Sequence, residues 1–186
     1  MTIEELAQIV LQKLEEHKIP YMVVGSLASN MHGAPRATQD ADIVIDCDRK
    51  SLEEFMASLQ PEFYADSDMA RDAYRHRSMF NVIHYQSGFK VDLIIRGVSD
   101  FDQEEFRRRT RLPFQGFQRW VATPEDTILS KLEWSKLGES ERQFSDAVNI
   151  AVIQASSLDR EYMKRWASNL NISSLLEKLL DQVDQT

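Results

Sequence analysis

Apolar runs mixed with helical spacing give way, from about residue 122, to helical spacing alone, and that change restricts the folds open to this chain. Upstream, short apolar runs at 21–24, 40–46, 79–84 and 89–95 are separated by stretches of helical spacing. Downstream, apolar positions recur every three or four residues almost to the end, in pieces around 124–138, 140–155, 159–169 and 172–183. The chain therefore reads as an α/β front half, residues 1–121, followed by a helical region, residues 122–186.

Local signals sharpen this outline. Ile3, Leu6, Ile9, Val10 and Leu14 predict an opening amphipathic helix, and Pro20 leads into a buried strand that ends at Gly25. A short helix is expected from Ser26 to Met31, then a loop over 32–39, then a strand whose centre, Ile43-Val44-Ile45, is β-branched. Leu52, Phe55, Met56 and Leu59 predict a helix, whereas 61–77 is polar and carries no clear period. The runs at 79–84 and 89–95 flank Gln86-Ser87-Gly88 and predict a hairpin. A short helix near 102–109 and a small strand pair near 112–121 follow. Thr123-Pro124-Glu125-Asp126 has the form of a helix start, with Thr123 as cap and Pro124 in the first turn.

Composition narrows the function classes. With 42% hydrophobic and 28% charged residues the chain has the mix of a globular protein, and no apolar run approaches the ~20 residues that span a bilayer. Its net charge of −8 is the wrong sign for gripping nucleic acid along a broad basic face. Arg107, Arg108, Arg109 and Arg111 form one basic patch, which reads as a solvated helix end because no aromatics alternate with them. The single cysteine, Cys47, excludes an internal disulfide and a cysteine-cluster metal site. The N-terminus (MTIEELAQIV) carries acids where a secretory signal carries bases, so the expected compartment is the cytoplasm.

Asp40 and Asp42 lie two apart on the predicted strand, so both side chains leave the same face. Paired carboxylates repel unless a cation lies between them, and Mg2+ takes hard oxygen ligands of this kind. The pair alone is not diagnostic, because Asp46/Asp48 and Asp66/Asp68 repeat its spacing. Asp46 lies about 13 Å further along the strand, too far to share a metal with Asp42. Asp92 adds weight. It interrupts the apolar strand Lys90-Val91-Asp92-Leu93-Ile94-Ile95, where an uncompensated carboxylate would cost several kcal/mol unless it pointed outward. Three carboxylates from neighbouring strands can hold two metal ions about 4 Å apart for in-line phosphoryl transfer. Gly25 and Ser26 stand where a strand turns into a helix, a junction at which backbone without a Cβ, free N–H groups and a hydroxyl can receive phosphates. The same two residues also suit a plain turn with Ser26 as N-cap.

Gly25-Ser26, then Arg36-Ala37-Thr38-Gln39-Asp40-Ala41-Asp42-Ile43-Val44-Ile45, then Lys90-Val91-Asp92-Leu93-Ile94 together resemble the nucleotidyltransferase superfamily whose catalytic core is shared with DNA polymerase β. The spacer Gly33-Ala34-Pro35-Arg36-Ala37-Thr38 and the segment 122–132 resemble its small prokaryotic branch, which includes abortive-infection type II toxins of toxin–antitoxin pairs. The resemblance covers roughly residues 20–150. It implies an α+β fold, a mixed β-sheet core with flanking helices followed by the C-terminal helical region. It implies transfer of a nucleoside monophosphate from a nucleoside triphosphate to a hydroxyl, with two Mg2+ ions. Asp40 and Asp42 would bind both metals, and Asp92 would bind one and help deprotonate the acceptor. Gly25 and Ser26 would cradle the phosphates, Lys131 would contact them, Asp146 would accompany Lys131, and Arg36 and Thr38 would shape the site. From the residues alone, Lys131 and Asp146 read as a surface lysine and an exposed acid.

The acceptor is left open among a transfer RNA end, a protein hydroxyl and a small molecule, as is pairing with an antitoxin or a second copy. Two other classes stand beside the enzyme reading. One is an inactive member that binds a nucleotide or a partner, against which retention of all three acids argues. The other is a two-metal nuclease, disfavoured by the Gly-Ser turn and by His32, which reads as a loop residue rather than a base. Leu170, Ile172, Leu175, Leu176, Leu179 and Leu180 of the helical tail read as core.

Overall fold

The computed structural model describes residues 1–138 and 140–185. Its first elements are α1 (Ile3–Glu16), β1 (Tyr21–Val24), α2 (Gly25–His32), β2 (Asp40–Ile45), α3 (Arg49–Ser58), β3 (Phe63–Ala65), α4 (Ser67–His76), β4 (Met79–His84) and β5 (Lys90–Ile95). Then come α5 (Asp100–Arg108), β6 (Thr110–Phe114), β7 (Phe117–Val121), α6 (Pro124–Gly138), α7 (Glu141–Gln154), α8 (Arg160–Asn169) and α9 (Ser173–Asp184). The strands form one sheet in the order β3-β4-β5-β2-β1-β7-β6. It is parallel where β2 meets β5 and β1 meets β7, and antiparallel at the other pairings. This is the mixed sheet of an α+β protein that the resemblance implied.

The chain divides into two compact units. One comprises Met1–Leu27 and Ala37–Val121, the other Ala28–Arg36 and the residues from Ala122 onward. In the first unit the sheet has two unlike faces. Ala41, Ile43 and Ile45 of β2, Val91, Leu93 and Ile95 of β5, and Phe80 and Val82 of β4 alternate onto one face and are all buried. Helix α1 packs against β2 and β5, burying Leu6, Val10, Leu11 and Leu14. Its start is fixed by a capping box between Thr2 and Glu5. Arg119 of β7 is only 3% exposed and anchors α1 through an ion pair with Glu15 and a 2.9 Å hydrogen bond from its Nε to Gln8 Oε1. Tyr21 donates to Glu15 at 2.7 Å, and burial together with that carboxylate pushes its phenol up to about 12.

In the second unit the core is made by α6, α7, α8 and α9, with Ile128, Leu132, Ile150, Met163 and Leu179 fully buried. Ile172, Leu176, Leu179 and Leu180 are core, as expected, while Leu170 and Leu175 are half-buried. Thr123 caps α6: its Oγ1 accepts from the Asp126 N–H at 3.2 Å and donates to Asp126 Oδ2 at 2.7 Å. The other Asp126 oxygen accepts from the Tyr162 hydroxyl of α8 at 2.5 Å, so this fully buried carboxylate is satisfied on both sides.

Three local readings change. The polar stretch 61–77 resolves into β3 and α4, whose buried residues are the small Ala70 and Ala73, too weak a pattern to show as a period. His32 is not in a loop: it ends α2, is 5% exposed, and its Nε2 lies 2.7 Å from the Ala122 carbonyl oxygen. A carbonyl only accepts, so that nitrogen carries the proton, and burial holds the ring below its ordinary pKa. Arg107 is solvated and paired with Glu104, but Arg109 lies over the Phe106 and Trp120 rings, at 4.1 and 5.1 Å, and Arg111 over Trp120 at 5.4 Å. Phe106 precedes Arg109 along the chain on α5, whereas Trp120 comes from β7, across the hairpin.

Among the described residues no helix is long and apolar enough to cross a membrane. Replacing Asp126 by Ala removes the α6 cap partner and leaves the buried Tyr162 hydroxyl without its acceptor. Urea unfolding of Asp126→Ala should show a loss on the order of 2–4 kcal/mol; a loss below about 0.5 kcal/mol would show that the network does not support α6.

Candidate functional site

Five polar side chains share one face of three neighbouring strands. Parallel pairing sets Asp42 opposite Asp92 and Asp40 opposite Lys90, and antiparallel pairing sets Asn81 of β4 opposite Asp92. Residues two apart on a strand, and residues in register across a sheet, point the same way. Asp40, Asp42, Lys90, Asp92 and Asn81 therefore lie on the face opposite the fully apolar one.

Asp92 does not point out into solvent. It is 5% exposed and both its oxygens are taken, Oδ1 by the Asn81 amide and Oδ2 by the Lys90 ammonium at 2.5 Å. The same ammonium is 3.7 Å from Asp40 Oδ2, so it bridges β5 and β2. Burial alone would push Lys90 down. The hydrogen bond to Asp92 and the charges of Asp92, Asp40 and Asp42 outweigh it and hold the lysine above its ordinary pKa. The Thr38 hydroxyl orients Asp40, lying 3.0 Å from Oδ1 and 3.1 Å from the backbone oxygen.

Gly25 has φ +60, a left-handed conformation that side chains disfavour. A Cβ built there would meet Asp42 Oδ2 at 2.1 Å and Asp42 Cγ at 2.8 Å. The space left by the missing side chain is thus filled by the carboxylate of Asp42. Ser26 follows in the first turn of α2.

In the second unit, Lys131 and Asp146 are neither surface lysine nor exposed acid, being 4% and 6% exposed. Lys131 Nζ lies 2.9 Å from Asp146 Oδ2 and 3.0 Å from Gln143 Oε1. Arg36 grips the same carboxylate with Nε at 3.0 Å from Oδ1 and Nη2 at 2.7 Å from Oδ2, while Asn30 holds its backbone on both sides. Burial would raise Asp146, but the bonds from Arg36 and Lys131 overcome it and hold the carboxyl below the usual range.

Lys90 and Asn81 carry no signal as single residues. The i, i+2 spacing of Lys90 and Asp92 on one strand was legible, whereas the placement of Asn81 needs the β4–β5 register. The donors fit a divalent cation by kind, since all are hard carboxylate oxygens around a position already taken by a positive charge. Among the described residues, however, no group of three or more His, Cys, Asp or Glu converges closely enough to hold an ion as it stands.

Two predictions follow from this geometry. Gly25→Ala combines a left-handed strain with a collision against Asp42 and should lower both stability, by about 1–3 kcal/mol, and activity; unaltered melting and turnover would show that the turn tolerates a side chain. The Asp146 carboxyl is depressed in the folded state, so its stabilisation is full above the unfolded value near 3.9 and is lost as pH falls through the lower folded value. Asp146→Asn should therefore unfold more easily at pH 7 and show a flatter stability profile than wild type below about pH 4 in acid titrations followed by circular dichroism. Parallel profiles would exclude the charge as the cause.

The fold has solved relatives. An antigenic nucleotidyltransferase-like protein from Paracoccidioides brasiliensis superposes with a TM-score of 0.58 at 18% identity, over 94% of this chain and 92% of that one. The antibiotic-resistance factor ANT(2'')-Ia gives 0.59 at 12% identity, over 98% and 95%. The lincosamide antibiotic adenylyltransferase LnuA gives 0.57 at 13% identity, over 82% and 98%. At these identities the likeness is one of fold. No curated protein sequence matches the chain. The family described as "Nucleotidyltransferase of unknown function (DUF6036)" matches residues 1–179, nearly the whole length, and the chain belongs to that family of nucleotidyltransferases.

Proposed function

We propose that this nucleotidyltransferase moves a nucleoside monophosphate from a nucleoside triphosphate to a hydroxyl acceptor, with Asp40, Asp42 and Asp92 as ligands for two Mg2+ ions. The observation that carries the reading is the β2–β5 register, which gathers three carboxylates on one sheet face with Asp42 seated against Gly25. Mg2+ bound there supplies charge neutralisation for the triphosphate and the leaving pyrophosphate, and acidifies the attacking hydroxyl. Asp92, closed off from bulk water, takes the proton of the acceptor hydroxyl as its oxygen bonds to the α-phosphorus. The bond from that phosphorus to the bridging oxygen breaks, and pyrophosphate departs. Thr38 holds the Asp40 carboxylate in place, and the Gly25-Ser26 turn with the first N–H groups of α2 receives the phosphates.

Lys131 is assigned a phosphate contact on the resemblance, with Asp146, Arg36 and Gln143 setting its position. ATP is the donor to try first, because LnuA is described as a lincosamide antibiotic adenylyltransferase, which also favours an antibiotic as the small-molecule acceptor already expected. RNA ends and protein hydroxyls enter from the resemblance. So does a toxin role with an antitoxin partner, whereas the expected cytoplasmic setting rests on the reading of the sequence.

The test is incubation with each of the four α-labelled nucleoside triphosphates and Mg2+, offering total RNA, cell protein or a panel of antibiotics as acceptor. Label should enter one acceptor class. An Asp40→Ala/Asp42→Ala double variant should lose at least about a thousandfold in rate, the equivalent of ~4 kcal/mol of transition-state stabilisation. Transfer that survives the double substitution would remove these residues from the chemistry, and no transfer under any combination would sink the reading.

A further inference from the structure

Lys90 is a charged side chain in the carboxylate cluster to which the proposed reaction gives no task. It stands two residues before Asp92 on β5, so the strand itself aims both side chains to the same face. Its ammonium lies 2.5 Å from Asp92 Oδ2 and reaches across the ladder to within 3.7 Å of Asp40 Oδ2. Asn81 takes the remaining oxygen of Asp92. Both oxygens of Asp92 thus already accept a hydrogen bond, and one of them accepts it from a full positive charge.

We propose that Lys90 is a built-in counter-cation: its ammonium occupies the cation position between Asp92 and Asp40, and a divalent metal binds only by displacing it. The inference rests on the reading of these carboxylates as a metal site, and it adds a residue that sets the affinity of that site. Three carboxylates brought to one face by strand register repel one another, and burying Asp92 without a partner would cost more still. The ammonium relieves both costs in the metal-free protein. A dication engaging Asp92 would approach the Lys90 ammonium on the same carboxylate, and their repulsion weakens its binding for as long as the ammonium stays. Lys90 can leave readily. Its side chain is 41% exposed against 7% for Asp92, so the flexible stem can carry the ammonium into solvent while the carboxylate stays. Metal affinity is then the difference between two cations competing for one carboxylate set, rather than the intrinsic affinity of the acids.

Calorimetric titration of the whole protein with Mg2+ alone, and with Mn2+ alone, tests this without any turnover. Lys90→Met keeps the apolar stem and removes the charge, and should bind either metal at least about tenfold more tightly than wild type. Lys90→Gln, a second neutral variant, should show the same gain, and Lys90→Arg, which keeps the charge, should stay near wild type. Metal-free Lys90→Met should melt below wild type, and saturation with Mg2+ should raise its melting temperature by more than it raises that of wild type, a difference that loss of a merely structural contact would not produce. If the neutral variants bind metal no more tightly than wild type, while Asp40→Asn/Asp42→Asn abolishes binding, the counter-cation role is overturned and the metal site stands. If neither wild type nor the Lys90 variants bind Mg2+ or Mn2+, both the metal site and the role given to Lys90 fall.

Discussion

The six-residue parallel ladder between β2 and β5 is the constraint on which the site depends. Pairing from Asp40↔Lys90 to Ile45↔Ile95 places Asp42 directly opposite Asp92. The alternation of each strand does the rest, sending Ala41, Ile43, Ile45, Val91, Leu93 and Ile95 into the core and the acids to the other side. A slip of one residue would bury the acids and expose the apolar set, so the hydrophobic face fixes the register and the register builds the site. Gly25 fits the same frame, because β1 pairs with β2 and the turn that ends β1 passes so close to Asp42 that no side chain fits.

Both units bring carboxylates out of water, and each is matched at once by donors at short range. Asp92 has Lys90 and Asn81, Asp146 has Lys131 and Arg36, and Asp126 has Thr123 and Tyr162. The Asp126 arrangement is held by neutral donors and serves the start of α6. The other two use ammonium or guanidinium groups, whose place on the carboxylate a competing cation can take. A buried acid by itself is thus a poor marker of function here, and the nature of its partner is more telling than its depth.

Long periodic segments were legible from the sequence. Helix α1, the strands around the acids, the β4–β5 hairpin and the four C-terminal helices follow from apolar spacing and turn chemistry, because each element must bury one face whatever surrounds it. The stretch 61–77 was not legible, since α4 buries only Ala70 and Ala73 and β3 spans three residues. Lys131 and Asp146 were misread as surface residues, because their burial comes from the packing of α6 on α7, which no local pattern reports. Arg111 is exposed as expected, though on β6 opposite Trp120, whereas Arg109 departs from the solvated reading by lying over Phe106, its neighbour in the chain, and over Trp120 of β7.

The sequence by itself determined the kinds of chemistry available: three aspartates in strand contexts, a glycine-serine turn ahead of them, and an α/β half followed by a helical one. These are local properties, written in spacing and side-chain type. Only the tertiary structure decided which groups compensate those aspartates, because pairing across strands and helices joins residues that are distant in sequence. Asn81 on Asp92, the carboxylate of Asp42 in the space beside Gly25, and Arg36 with Lys131 on Asp146 all arise from register and packing. Burial makes an unpaired charge costly, so the fold had to supply a partner for each. Which residue answers is a matter of three-dimensional proximity.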